Sequence, residues 1–265
     1  MKKYYYLIHI QYLGFRYHGW LRQPGVKTIE LALYKTAEFV LGHKTFKLLG
    51  SSRTDAMVSA DQAAFELFLN EPVDIDSFHA AFNLNLPNDI RVTEIEEVDR
   101  SFNIIQSPRI KEYVYLFAFG EKCHPFCAPL LCSFQSDLDI DLMTEGALLF
   151  QGKHNFRQYC TKPGPGTEFE RELTVSCIKE NDLFTASFFP KKSYAYHIAS
   201  NGFLRYQVRL IMGQLLSLGR REIGLQDIVE SLKGNESKPL RHIAPASGLI
   251  LKNIDFGFSK NKAEH

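Results

Sequence analysis

The chain has 265 residues, enough for one large domain or two smaller ones around a substantial core. Hydrophobic residues make up 45% and charged residues 23%, ordinary values for a globular protein. With 31 Lys and Arg against 30 Asp and Glu the net charge is only +1, so no global field argues for a polyanion partner; such a partner must be met by local clusters of basic residues.

No apolar run approaches the length that spans a bilayer. The basic start, Met1-Lys2-Lys3, leads into an apolar stretch broken by His9 and Gln11, which does not fit a signal peptide. A cytoplasmic protein is expected. The five cysteines are Cys123, Cys127, Cys132, Cys160 and Cys177. The first three are spaced like a metal half-site, but there are no paired C-x2-C knuckles and His124 has no spaced partner His. Reduced thiols are the simpler reading.

In chain order, Tyr4 to Tyr12 reads as a strand rich in Tyr and Ile. Leu13 to Gly25 is a loop with a Pro-Gly turn, two arginines and three aromatics; the aromatics either plug the core or lie against RNA. Thr28 caps a helix that runs to about Leu41, with Gly42 where a C-terminal glycine belongs. Thr45 to Leu49 and Ala60 to Leu69 read as strands flanking Ser51-Ser52-Arg53-Thr54-Asp55-Ala56. Asp76 or Ser77 caps a second helix ending before Pro87. Asp89 to Val98 is a strand, residues 100–108 a crossover, and Lys111 to Phe117 a strand placing Lys111, Tyr113 and Tyr115 on one face. Glu121 to Ser136 reads as a loop. Asp139 or Asp141 caps a helix through Phe150. Strands follow near Arg171 to Ile178, Leu183 to Phe189 and Ser193 to Ala199. Leu204 to Leu218 is the longest helical pattern, with Val208, Ile211, Met212, Leu215 and Leu216 on one stripe. A helix at Leu225 to Leu232, a strand at Gly248 to Phe256 and a polar, frayed tail from Ser259 complete the chain.

Residues 1–105 thus read strand, helix, strand, strand, helix, strand, the split βαβ, ferredoxin-like order. The expected class is α+β, with helices packed on a largely antiparallel sheet. Two halves of similar texture emerge, 1–105 and 106–265, each ferredoxin-like or RRM-like. The polar stretch around Asp55 remains open on local grounds: a turn rich in Ser, Thr and Asp, or a carboxylate held ready for chemistry.

The order of motifs resembles one family across nearly the whole chain. Gly14-Phe15-x3-Gly19-Trp20-x2-Gln23 is similar to Gly-Thr-x-Phe-x-Gly-Trp-Gln. Ser52-Arg53-Thr54-Asp55-Ala56-x-Val58-x-Ala60 resembles Gly-Arg-Thr-Asp-Ala-Gly-Val-His-Ala. Asn85-Leu86-Pro87-x-Asp89-Ile90, Lys111-x-Tyr113-x-Tyr115, Gly152-x-His154-Asn155-Phe156, Gly202-Phe203-x4-Val208-Arg209-x3-Gly213 and Ala244-Pro245-x2-Gly248-Leu249 follow in order. Together they resemble the tRNA pseudouridine synthase A family. Three departures stand out: Ser52 for Gly, Met57 for Gly and Ser59 for His.

The resemblance implies a pseudouridine synthase fold and isomerisation of uridine to pseudouridine in tRNA, at positions 38–40 of the anticodon stem-loop. It makes Asp55 the nucleophile, a carboxylate being able to attack carbon and leave again. Arg209 becomes the cation that keeps Asp55 ionised, and Tyr113 the aromatic beneath the uracil. Arg53, Thr54, Arg22, Gln23 and Leu249 become substrate-binding candidates. A paired uridine must be flipped out for this chemistry. No metal and no cofactor are implied, and the partners are tRNA and a second copy in a homodimer. A non-catalytic RNA-binding paralogue is the rival reading, motivated by Met57 and Ser59.

Overall fold

A computed structural model describes residues 3–235 and 240–257. The expected tail from Ser259 lies outside the described residues. The N-terminal part comprises β1 (Tyr4–Tyr12), α1 (Ile29–Leu41), β2 (Lys47–Gly50), β3 (Ser59–Leu69), α2 (Ile75–Asn85) and β4 (Ile90–Glu97). Then follow β5 (Ile110–Phe119), β6 (Cys132–Phe134), α3 (Ile140–Leu148), β7 (Gly152–Asn155), β8 (Glu170–Glu180), β9 (Tyr194–Ser200), α4 (Gln207–Gly219), α5 (Leu225–Ser231) and β10 (Leu249–Asp255).

Local chemistry sets several boundaries. Leu31 N donates to the Thr28 side chain at the start of α1, and Gly42 ends it at a left-handed φ of 71°. Asp139 caps α3. The cap of α2 is Asp74, accepting from Ser77 N at 2.9 Å, not Asp76 or Ser77 as expected. Those two lie inside the first turn, where they follow the cap.

All ten strands form one sheet in the order β4-β1-β3-β10-β5-β9-β8-β7, with β2 against β3 and β6 against β5. Pairing is antiparallel except for β10 with β3 and β6 with β5, so the fold is the expected α+β with a largely antiparallel sheet. The last strand is thus inserted at the centre, between β3 and β5. One apolar cluster packs α1 and α2 on β1, β3 and β4, through Ile29, Leu33, Phe78 and Phe82. A second packs α3, α4 and α5 on β5, β8 and β9. A third covers the opposite face of β5, β9 and β10.

Three further expectations are corrected. Leu183 to Phe189 is not a strand: the Asn181 side chain accepts from Leu183 N and Phe184 N, a local turn that competes with pairing. Its apolar residues Leu183, Phe184, Phe188 and Phe189 instead cover the third cluster. The expected loop 121–136 contains the short strand β6. The helix expected to be longest, from Leu204, starts only at Gln207 and equals α1 at 13 residues, because Tyr206 is left-handed (φ 65°) and Leu204 N donates to the Gln207 side chain.

Candidate active site

Residues 51–58 join β2 to β3 and are pinned from several sides. Ser51 donates from both its N and its Oγ to Ala64 O, at 3.0 and 2.8 Å. Lys111 Nζ donates to Ser51 O at 2.9 Å, even though burial lowers the pKa of its ammonium. Trp20 N donates to Thr54 O at 3.1 Å. Gly19, at φ 89°, makes that approach possible: a Cβ there would lie 2.7 Å from Thr54 O. The loop of residues 13–20 and the Asp55 loop are therefore packed backbone to backbone.

The Asp55 side chain is 27% exposed and faces Arg209, itself 14% exposed, with Arg209 Nη1 donating to Asp55 Oδ2 at 3.0 Å. The same guanidinium donates from Nε to Ala244 O at 2.8 Å and lies over the Tyr206 ring at 5.0 Å. The two charges come from positions 154 residues apart.

Tyr113 lies on β5 between β9 and β10 and touches both the first and the second cluster. Its ring meets Phe203 edge-on, with centroids 5.3 Å apart. Burial pushes its phenol pKa well up, and the Asp55 charge adds to that, so the phenol is protonated at neutral pH. The Ser52 hydroxyl lowers it slightly, yet Ser52 Oγ is buried without a partner at hydrogen-bond geometry; its effect on Tyr113 is that of a nearby dipole, not a formed bond. Tyr115, on the same strand face, donates its hydroxyl to Pro245 O at 2.9 Å.

The structure thus brings Asp55, Arg209 and Tyr113 together. The five substrate-binding candidates stand differently. Arg53 is exposed beside Asp55. Thr54 is buried, with its hydroxyl 2.9 Å from Tyr12 Oη. Arg22 is exposed and stacks its guanidinium over Tyr34 at 4.5 Å. Gln23 is exposed and donates to His18 O at 2.9 Å. Leu249 is buried opposite Tyr115. Ser59, where the family signature has His, is buried and accepts from Gly14 N at 2.9 Å, tying the first loop to β3. Tyr206, Phe203 and Ser52 also line the arrangement. The motif around Arg209 ran through Phe203 and Tyr206, but nothing in their spacing marked them as partners.

Two of the three cysteines spaced like a half-site have side-chain contacts elsewhere: Cys127 Sγ donates to Phe188 O at 3.2 Å, and Cys132 Sγ lies 3.3 Å from Ser247 Oγ. Among the described residues, donor atoms of His9, Glu94 and Glu96 lie within 4.8 Å of one another, where β1 pairs with β4. His9 Nε2 is 3.0 Å from Glu96 Oε1, a cross-strand pair. No helix among the described residues is long and apolar enough to cross a membrane.

A family model described as tRNA pseudouridine synthase matches residues 147–257. The chain is similar along its length to proteins named tRNA pseudouridine synthase A. That of Thermodesulfovibrio yellowstonii is 28% identical over 253 residues, covering 92% of this chain and 96% of that protein. That of Hydrogenobaculum sp. is 32% identical over 254 residues, with 94% and 98% covered. That of Mesoplasma florum is 32% identical over 255 residues, with 95% and 98% covered. Identity of that order, sustained over nearly the full length of both chains, means that this chain belongs to the tRNA pseudouridine synthase A family.

Proposed function

We propose that this enzyme isomerises uridine to pseudouridine at positions 38–40 of the tRNA anticodon stem-loop, with Asp55 as nucleophile. The observation that carries the reading is the pairing of Asp55 with Arg209 at 3.0 Å in a half-buried site. The guanidinium at that distance orients the Asp55 carboxylate, a group able to attack carbon and leave again. In the reaction the N1–C1′ bond breaks, the base turns and a C5–C1′ bond forms. The C5 proton leaves and N1 takes one up, so composition and oxidation state are unchanged. Attack at C1′ and the glycal route both begin from the Asp55 carboxylate.

Tyr113 supports the uracil and acts on the C5 proton. Its phenol is too weak an acid to serve as a phenolate while Asp55 is charged. An ester at Asp55 removes that charge, and with it one of the two causes that raise the phenol. Tyr113 therefore becomes easier to deprotonate in the covalent state, when C5 must lose its proton. Exposed Arg53 fits the space that the flipped nucleotide leaves. Residues 1–105 supply the nucleophile's loop and residues 106–265 supply Tyr113 and Arg209. Two copies in a cytoplasmic homodimer gather basic groups around one tRNA, which reconciles RNA binding with a net charge of +1.

The test is tritium release from tRNA transcripts labelled at C5 of uridine. The wild type releases tritium and Asp55→Ala does not; a wild type that releases none from any tRNA overturns the reading. Mapping pseudouridine in cells lacking the protein checks the positions, and light scattering checks the dimer.

A further inference from the structure

The turn after the nucleophile runs against the preference of its own residues. Val58 N donates to Asp55 O at 3.2 Å, closing a four-residue turn. Its third residue, Met57, has a φ of 68°. A type II turn requires positive φ at that place, and glycine adopts it without steric cost. The family signature has glycine there; this chain has a long side chain. Such a residue stays at positive φ only where its surroundings over-determine it.

Two contacts do so. Met57 N donates to Tyr17 O at 3.0 Å, which ties the turn to the first loop. The side chain is half-buried against the large apolar cluster to which β5, β8, β9 and α4, the helix that carries Arg209, all contribute. Methionine suits this role, since its unbranched chain fills irregular gaps where a β-branched one at positive φ would be an outlier.

We propose that Met57 is a positioning residue that clamps the Asp55 turn to the body bearing Arg209, so that a fixed contact replaces the conformational freedom of the family glycine. The proposal rests on Asp55 being the nucleophile. Met57 does not touch RNA in this role; it holds the carboxylate at its distance from the guanidinium.

The experiment compares tritium-release kinetics and thermal stability of the wild type with Met57→Gly, Met57→Ala and Met57→Leu. Loosening a reacting group costs rate steeply, so kcat falls about tenfold in the Gly and Ala variants. KM for tRNA stays within about twofold, because no binding contact is removed. Met57→Leu, which restores the apolar contact, returns kcat to within about twofold of the wild type. Wild-type kcat in Met57→Gly overturns the clamp. So does a Met57→Ala variant that melts lower yet turns over normally below its transition, since that is the signature of packing alone. A Leu variant as slow as the Gly variant overturns it too. If Met57→Gly fails to fold, the Ala and Leu variants decide. An inactive wild type defeats the reading of Asp55 itself, whereas an active wild type with an equally active Gly variant defeats only the clamp.

Discussion

Arg209 serves three partners with one guanidinium: the Asp55 carboxylate, the Ala244 carbonyl and the Tyr206 ring. The planar fork suits that geometry in a way a lysine ammonium cannot. Asp89 does comparable work for the first loop. It takes Arg16 Nε and Nη2 on Oδ2, at 3.1 and 2.7 Å, and the Tyr17 hydroxyl on Oδ1 at 2.7 Å. Burial alone would raise its pKa, but the Tyr17 and Arg16 bonds outweigh that and hold it below the usual carboxylate value. A carboxyl lowered on folding stabilises the native state above its unfolded pKa of about 3.9, and that contribution disappears as the pH falls through the native value. Asp89→Asn is therefore less stable than the wild type at pH 7, and the gap narrows below about pH 4. Urea denaturation at the two ends of that range checks this, and a constant gap would contradict it. The motif Leu-Pro-x-Asp was visible in the sequence, but its partners, about seventy residues earlier, were not.

At the level of elements, α4 is set by what lies against it. A Cβ at Gly213 would sit 1.9 Å from His242 O and 2.8 Å from His242 C, backbone atoms that cannot give way cheaply. Gly213 is four residues after Arg209, on the same helix face. The absent side chain lets the segment around His242 to Ala244 approach, and Ala244 O then reaches Arg209 Nε. Gly213→Ala forces that segment off. Overpacking of this kind costs about 1–3 kcal/mol, and the Tm should drop by several degrees, at roughly 2–4 °C per kcal/mol for a chain of this size. Tritium release should fall further than the lost stability explains, because Arg209 loses a support; calorimetry and the activity assay together test both parts. Helix starts with a local side-chain cap, at Thr28 and Asp139, were legible in the sequence because capping acts over three residues. The segment Leu183 to Phe189 misled because alternating apolar residues describe equally well a strand and a loop laid across the back of a sheet.

For the whole molecule, the position of β10 is decisive. It pairs with β3 on one side and β5 on the other, so the final strand welds the parts that carry Asp55 and Tyr113. Tyr113 packs against the clusters of both parts. Unfolding should accordingly be a single cooperative transition. The lone tryptophan, Trp20, is 2% exposed in the N-terminal cluster, so its fluorescence reports that part while far-UV circular dichroism reports all of the chain. The two melting curves should coincide; a tryptophan transition separated from the dichroism transition would show independently stable halves.

The sequence by itself determined the strands and helices with clear periodicity, the α+β class, and, through the ordered motifs, the family. Those are properties of short windows and of their order along the chain. Only the tertiary structure decided that β10 enters the centre of the sheet, that Arg209 reaches Asp55, that Thr54 turns inward to Tyr12, and that Met57 holds a glycine's φ. The physical reason is common to all four. Periodicity tells which face of an element is apolar, but not which distant element will cover it; partners and backbone strain are set by contacts made through space after the chain has packed.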